Sequence, residues 1–235
     1  MIKADQPTFF KSNVIVALSS VQDGNMSYDR GDDVNAVQEN RRRFLSSQMI
    51  AMQASVLCKV TYDRTDFTQY RVVDSFDRGK GMTPDNEMVV ADALLTDDKA
   101  CALFLPLADC VGAVFYDTAR QSRLMLAHLG RHSVEQMGAQ KCVEFMQDKF
   151  GTKPTDLLVW LGPAPNGEAY PIHARDGMSF HEVIVDDLQR AGVTKDQIEL
   201  STVDTVTDKN YFSHSEFLKG NRETDGRYAI TVKMR

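Results

Sequence analysis

Two residues of the 235-residue chain have the types and the setting to do chemistry together. Cys110 stands in LADCVG between two apolar runs, and His128 follows in LMLAHLG. A thiol and an imidazole that meet serve one of two ends: they ligate a soft or borderline metal ion, or they work as nucleophile and base. The bland alternative is core filling, since a cysteine in apolar sequence is most often an inert buried thiol. Position keeps the reactive readings open. Asp109–Cys110 falls where one apolar run breaks into the next, and His128 closes the run RLMLA just before Gly130. Both are then strand-end groups, where a scaffold displays its chemistry. Spacing nominates no third metal ligand.

The elements that must position this pair read as follows. NVIVALSS (13–20) is a strand, a helix runs from Val34 to Gln53, and SVLCKVTY (55–62) is the next strand. The segment 63–87 is polar, with Gly79, Gly81 and Pro84, and reads as an insertion with little core of its own. From residue 88 four apolar runs of strand length, VVADALLT, CALFLPLA, VGAVFYD and RLMLAHLG, are separated by breaks such as TDDK and DTARQS and read as a central sheet. Ser133 with Gln136 forms a capping box for a helix over 134–149, and Ser179 with Glu182 caps another running to Gly192. DLLVWLG, IELSTV and RYAITVKM complete the strands. The alternation predicts one α/β or α+β domain, 1–235, of layered mixed sheets flanked by helices.

Composition narrows the function. With 43% apolar residues the chain builds a sizeable core, and the −6 net charge with scattered basic residues disfavours nucleic acid as partner. The basic run 41–43 reads as the solvated face of a helix. No apolar window is long enough to span a bilayer, and MIKADQPTFFKSN lacks the pattern of a secretory signal, so a cytoplasmic protein with reduced cysteines is expected. A small-molecule partner remains. His132, His173, His181 and His214 fall at caps or in polar loops and are weaker candidates than His128. Asp23, Asp29, Asp32 and Asp33 lack the calcium-loop spacing and read as turn and cap residues, and GPAPNG (162–167) as an ordinary turn.

The run ADALLT…CALFLPLADCVGAVFYD…LMLAHLGRHS, followed by VWLGPAPNGEAYPI, resembles the laccase-domain family, the YfiH-type or multicopper polyphenol oxidase proteins. VALSSVQDGNMS, VQENRRRFL and FSHSEF…TDGRYAITV extend the likeness over nearly the whole chain. The resemblance implies a fold akin to the catalytic domain of the cytotoxic necrotizing factor toxins. It also implies a zinc or copper ion held by a His–Cys–His set, and phosphorolysis of purine nucleosides, adenosine deamination or phenol oxidation as activity. Cys110 and His128 match the second and third ligands, and Thr61, in KVTY, stands where the first histidine belongs. A hydroxyl is a far poorer ligand than imidazole. Other motif positions differ too: Val21 replaces an arginine, Arg131–His132 a Trp–Arg pair, and His214–Ser215–Glu216 a Tyr–Arg–Arg triplet. His132, or Asp74 or Asp77 from 63–87, is a candidate substitute ligand.

Three functions follow. The first is a purine nucleoside phosphorylase-like enzyme acting on nucleoside and phosphate, with Cys110 and His128 at its centre and Asp109 orienting one of them. The second is a metal-free hydrolase or deamidase with Cys110 as nucleophile. The third is a catalytically silent binding protein.

Overall fold

The computed structural model describes residues 6–119 and 122–235. The first five residues of MIKADQPTFFKSN and residues 120–121 of the DTARQS break lie outside the described residues. Two mixed sheets stack face to face, with helices on both outer faces. The first sheet has the order β1-β11-β6-β2-β4 and the second β10-β9-β7-β8-β5-β3. Along the chain these are β1 (Val14–Leu18), β2 (Ser55–Lys59), β3 (Tyr70–Val72), β4 (Val89–Val90), β5 (Ala93–Thr96), β6 (Ala102–Leu107), β7 (Val111–Asp117), β8 (Arg123–Leu129), β9 (Leu157–Leu161), β10 (Ile198–Leu200) and β11 (Tyr228–Met234). The helices are α1 (Val34–Ser47), α2 (Arg131–Glu135), α3 (Gly138–Phe150), α4 (Phe180–Arg190) and α5 (His214–Leu218).

Strand alternation explains the layers. In β6, Leu103, Leu105 and Leu107 face the space between the sheets, where they meet Val114 and Tyr116 of β7 and Leu124 and Leu126 of β8. Phe104 points outward against Phe44 and Leu45 of α1. Ala113 and Phe115 point the other way, onto Cys142, Val143 and Met146 of α3 and Val183, Ile184 and Leu188 of α4. Each fully buried Leu, Val or Phe stabilises the fold by about 1.5–3 kcal/mol.

The apolar runs after residue 88 do not form one sheet. β4 and β6 belong to the first sheet and β5, β7 and β8 to the second. A fully buried strand is apolar on both faces, so its sequence carries no mark of which sheet takes it. The first helix stops at Ser47 rather than Gln53. Met49 turns left-handed at φ 58°, and the Ile50 and Met49 amides donate to the Leu45 and Ser46 carbonyls. This is the Schellman ending, built without its usual glycine. The helix expected over 134–149 begins at Arg131 and breaks at Met137, φ 60°, before α3. Ser133 lies inside α2, and the Gln136 side chain bonds the Phe67 amide and the Thr65 carbonyl instead of capping. Segment 63–87 has a core after all. It supplies the edge strand β3 and buries Phe67, Tyr70, Val73 and Met82. Among the described residues no helix is long and apolar enough to cross a membrane.

Candidate functional site

The end of the sandwich near residue 110 gathers the candidate residues. β6 and β7 belong to different sheets, so Ala108–Cys110 is the crossing between them. Asp109 makes the corner by adopting φ 69°, a left-handed conformation that aspartate tolerates better than most residues. β7 pairs with β8 in the register Val111↔Leu129 and Gly112↔His128, which brings Cys110 beside Gly130. His128 shares the inter-sheet side of β8 with Leu124 and Leu126. A Cβ on Gly130 would stand 2.8 Å from His128 Cε1 and 3.0 Å from Cys110 Sγ, so thiol and imidazole flank one point that only glycine leaves open.

Burial sets the charge state of this corner. It pushes the Cys110 thiol up to about 12, reinforced by the neighbouring Asp109 charge and opposed by Arg227 and by the Arg131 backbone N–H. It pushes His128 down to about 4, with Arg64 and Arg227 adding to the effect. The pair therefore rests as thiol and neutral imidazole at neutral pH. The His128 amide donates to the Asp92 carbonyl at 2.7 Å, and the Asp92 carboxylate is held by Arg64 at 2.6 Å and by the Gln69 amide at 2.9 Å.

The Asp109 carboxylate, expected to orient Cys110 or His128, has its hydrogen bonds elsewhere. It accepts from Thr205 Oγ1 at 3.0 Å and from the Ser215 amide at 2.7 Å, tying the crossing to the start of α5. It acts on the thiol only through its charge.

The donor set does not fit the expected metal. The Thr61 carbonyl accepts from Arg64 Nε at 3.1 Å, and its neighbours Val60 and Tyr62, not Thr61 itself, form the cavity wall. Tyr62 places its ring edge-on to His128, with centroids 6.5 Å apart. His132 stacks on Phe67 at 4.6 Å, while Asp74 and Asp77 close a turn of their own away from the cavity. Among the described residues no three His, Cys, Asp or Glu side chains converge as a ligand set. The charges that act on His128 are the guanidinium groups of Arg64 and Arg227, which repel a dication.

A cavity of about 420 Å³ opens beside Cys110 and His128. Tyr62, Phe67, His132, Tyr170 and Phe180 give it aromatic walls, Arg30, Lys59, Arg131 and Arg227 give it positive charge, and His214 adds an imidazole. His214, rated in sequence as a loop residue, joins the site through its Nδ1 contact with Asp225 at 2.8 Å. Arg30 lies outside the quoted motifs, and Asp225, inside TDGRYAITV, carries no expected role there. They come from loops at opposite ends of the chain and meet at 3.3 Å. His181 bonds the Gly162 carbonyl at 2.9 Å behind the site, and neither it, His173, Val21 nor the loop 162–167 lines the cavity. Asp23, Asp32 and Asp33 serve turns and the α1 cap, and Asp29 pairs with Lys59.

Comparison with known proteins agrees with this architecture. The crystal structure of the Bacillus licheniformis hypothetical protein YfiH superposes with TM-score 0.82 at 22% identity, covering 94% of this chain and 93% of that one. YlmD from Geobacillus stearothermophilus superposes with TM-score 0.79 at 25% identity, covering 90% and 84%. In sequence, the purine nucleoside phosphorylase YlmD of Bacillus subtilis is 33% identical over 115 residues, 48% of this chain and 41% of that protein. A purine nucleoside phosphorylase of Clostridium acetobutylicum is 29% identical over 79 residues, 34% of this chain and 33% of that protein. Both sequence matches thus span less than half of the relatives' own length. The family model described as multi-copper polyphenol oxidoreductase laccase matches residues 8–182, and with the two-sheet fold in place the chain belongs to that family.

Proposed function

We propose that the chain catalyses phosphorolysis of a purine nucleoside. The observation that carries this reading is the mixed lining of one cavity: aromatic side chains on one part of the wall, cationic ones on another, and the Cys110–His128 corner beside them. Purines stack on aromatic rings, and an inorganic phosphate is held by guanidinium groups. In the reaction a phosphate oxygen forms a bond to C1′ of the ribose while the C1′–N9 bond breaks. Its electron pair leaves with the base, which takes up the proton that dihydrogen phosphate gives up. Positive charge develops on the ribose as the base departs, and a bound anion stabilises it. Cys110 and His128, neutral and packed at the corner, position the nucleoside by hydrogen bonds. No step passes through a metal. The names of the two sequence relatives support the same substrate class.

The rival reading from sequence, a thiol nucleophile, is weakened by the same corner. A thiol held near 12 beside an imidazole held near 4 is the reverse of the depressed-thiol arrangement that activates cysteine.

Incubating the protein with inosine or adenosine, with and without phosphate, tests the proposal by chromatography of the products. Free base and ribose 1-phosphate should appear only with phosphate, and at least about a hundredfold more slowly in Cys110→Ala and His128→Ala. Base release that ignores phosphate, or none above the Cys110→Ala background, overturns it.

A further inference from the structure

The part of the cavity wall away from the Cys110–His128 corner is organised around one carboxylate, and one of its members, Arg30, lies outside every motif of the family likeness. The Asp225 carboxylate gathers three basic side chains from three separate segments. Its Oδ2 accepts from Arg30 NH1 at 3.3 Å, and its Oδ1 meets His214 Nδ1 at 2.8 Å and Arg227 NH1 at 2.7 Å. All three basic residues line the cavity that also holds Cys110 and His128. Arg227 NH1 donates in addition to the Gly226 carbonyl at 2.7 Å, which fixes the guanidinium from behind.

The charges around Asp225 do not cancel. One carboxylate faces two guanidinium groups and an imidazole, and the neighbouring Lys59 has its own partner in Asp29. Each guanidinium uses only NH1 on Asp225, so Nε and NH2 of Arg30 and of Arg227 remain as donors, together with His214 Nε2. A shared carboxylate is an efficient way to hold such donors, because it pins the long side chains and so removes the entropy that a ligand would otherwise have to freeze. It also keeps the cations near one another. The charge of Arg227 reaches both Cys110 and His128, so an anion seated here lies next to the corner rather than at a remote surface.

We propose that Arg30, His214 and Arg227, held on the Asp225 carboxylate, form the subsite for a compact oxyanion, the phosphate that attacks the nucleoside. This rests on phosphorolysis as the proposed function. Arg30 is the specificity-determining member. It sits on the short 3-10 turn Tyr28–Arg30, which itself lines the cavity, and its guanidinium is held there by Asp225. The subsite admits a tetrahedral oxyanion by charge and donor number, and a neutral ligand gains nothing there.

Binding of inorganic phosphate to the full chain, measured by calorimetry without any nucleoside, is the direct test. Arg30→Gln and Asp225→Asn should weaken phosphate binding by about tenfold or more, the order expected for a lost charge-assisted bond, with Arg30→Lys intermediate. Arg71→Gln, on the exposed edge strand β3, should leave it unchanged. In turnover, Arg30→Gln should raise KM for phosphate and leave KM for nucleoside in place. Unaltered phosphate affinity in a folded Arg30→Gln protein overturns the subsite, whether or not base is released. Phosphate binding that depends on Arg30, with no base released from any purine nucleoside, upholds the subsite and overturns the phosphorylase reading alone.

Discussion

The two parts of the cavity wall handle charge in opposite ways. At the Cys110–His128 corner burial holds both groups neutral, and the backbone closes so tightly that Gly130 cannot carry a side chain. At the Asp225 cluster two guanidinium groups and an imidazole share one carboxylate, with His214 40% and Arg30 32% exposed at the side chain. The corner is a shape and the cluster is a field. A shape discriminates by fit and gains from desolvation, whereas a field attracts an ion from water and loosens when screened. Such a division suits a reaction between a neutral, flat molecule and a small anion.

Four measurements put that contrast to the test, the strongest perturbation first. Gly130→Ala forces a methyl group between His128 and Cys110; turnover should fall by more than about a hundredfold and stability by about 1–3 kcal/mol, read by base release and thermal melting. Normal activity in that variant would show that the corner is not tight. Next comes acid sensitivity. The unfolded chain binds a proton at His128 near pH 6.5 and the folded chain only near 4, so stability from this group is present above pH 6.5 and is lost as pH falls towards 4. The loss is on the order of 3 kcal/mol, and denaturant titrations of His128→Gln should show a flatter profile across that window. A variant as acid-sensitive as the parent would place the imidazole in water. Asp109→Ala leaves the Ser215 amide and Thr205 hydroxyl without their partner and should cost about 1–3 kcal/mol. It should also lower the pH at which Cys110 reacts with iodoacetamide, because the charge that raises the thiol is gone. The smallest effect is ionic. Added potassium chloride should raise KM for phosphate a few-fold and leave KM for nucleoside flat; equal changes would erase the distinction between the two parts of the wall.

How far the sequence revealed this differs between the same two parts. Cys110 and His128 were readable because each closes an apolar run beside a break, and strand ends are local features. Their meeting depends on β7 and β8 being hairpin neighbours, which short breaks in sequence favour. The cluster was not readable. Arg30 sits on a short polar turn and Asp225 just before β11, and it is long-range pairing, β1 with β11 and the Met26 and Arg227 backbones with each other, that brings the two ends of the chain together. Thr61 was legible as a substituted ligand position, yet no local pattern marks Arg64 as the partner of its carbonyl or Tyr62 as the wall beside His128. The hydrogen bonds of Asp109 were hidden for a related reason. Its partners, Thr205 and Ser215, sit far along the chain, and a carboxylate next to a cysteine invites a local explanation.

The crossing at Ala108–Cys110 also has a kinetic side. Asp109 holds the corner by bonds to residues 96 and 106 positions away, so these contacts close only after most of the chain has collapsed. The hairpin of β7 and β8, by contrast, closes over a short loop. In a refolding experiment, therefore, circular dichroism should recover before catalytic activity does. A chain halted between the two would carry native strands and an unfinished Cys110 turn. For this protein the appearance of function is a clock for the last long-range closure, separate from the signal that reports its sheets.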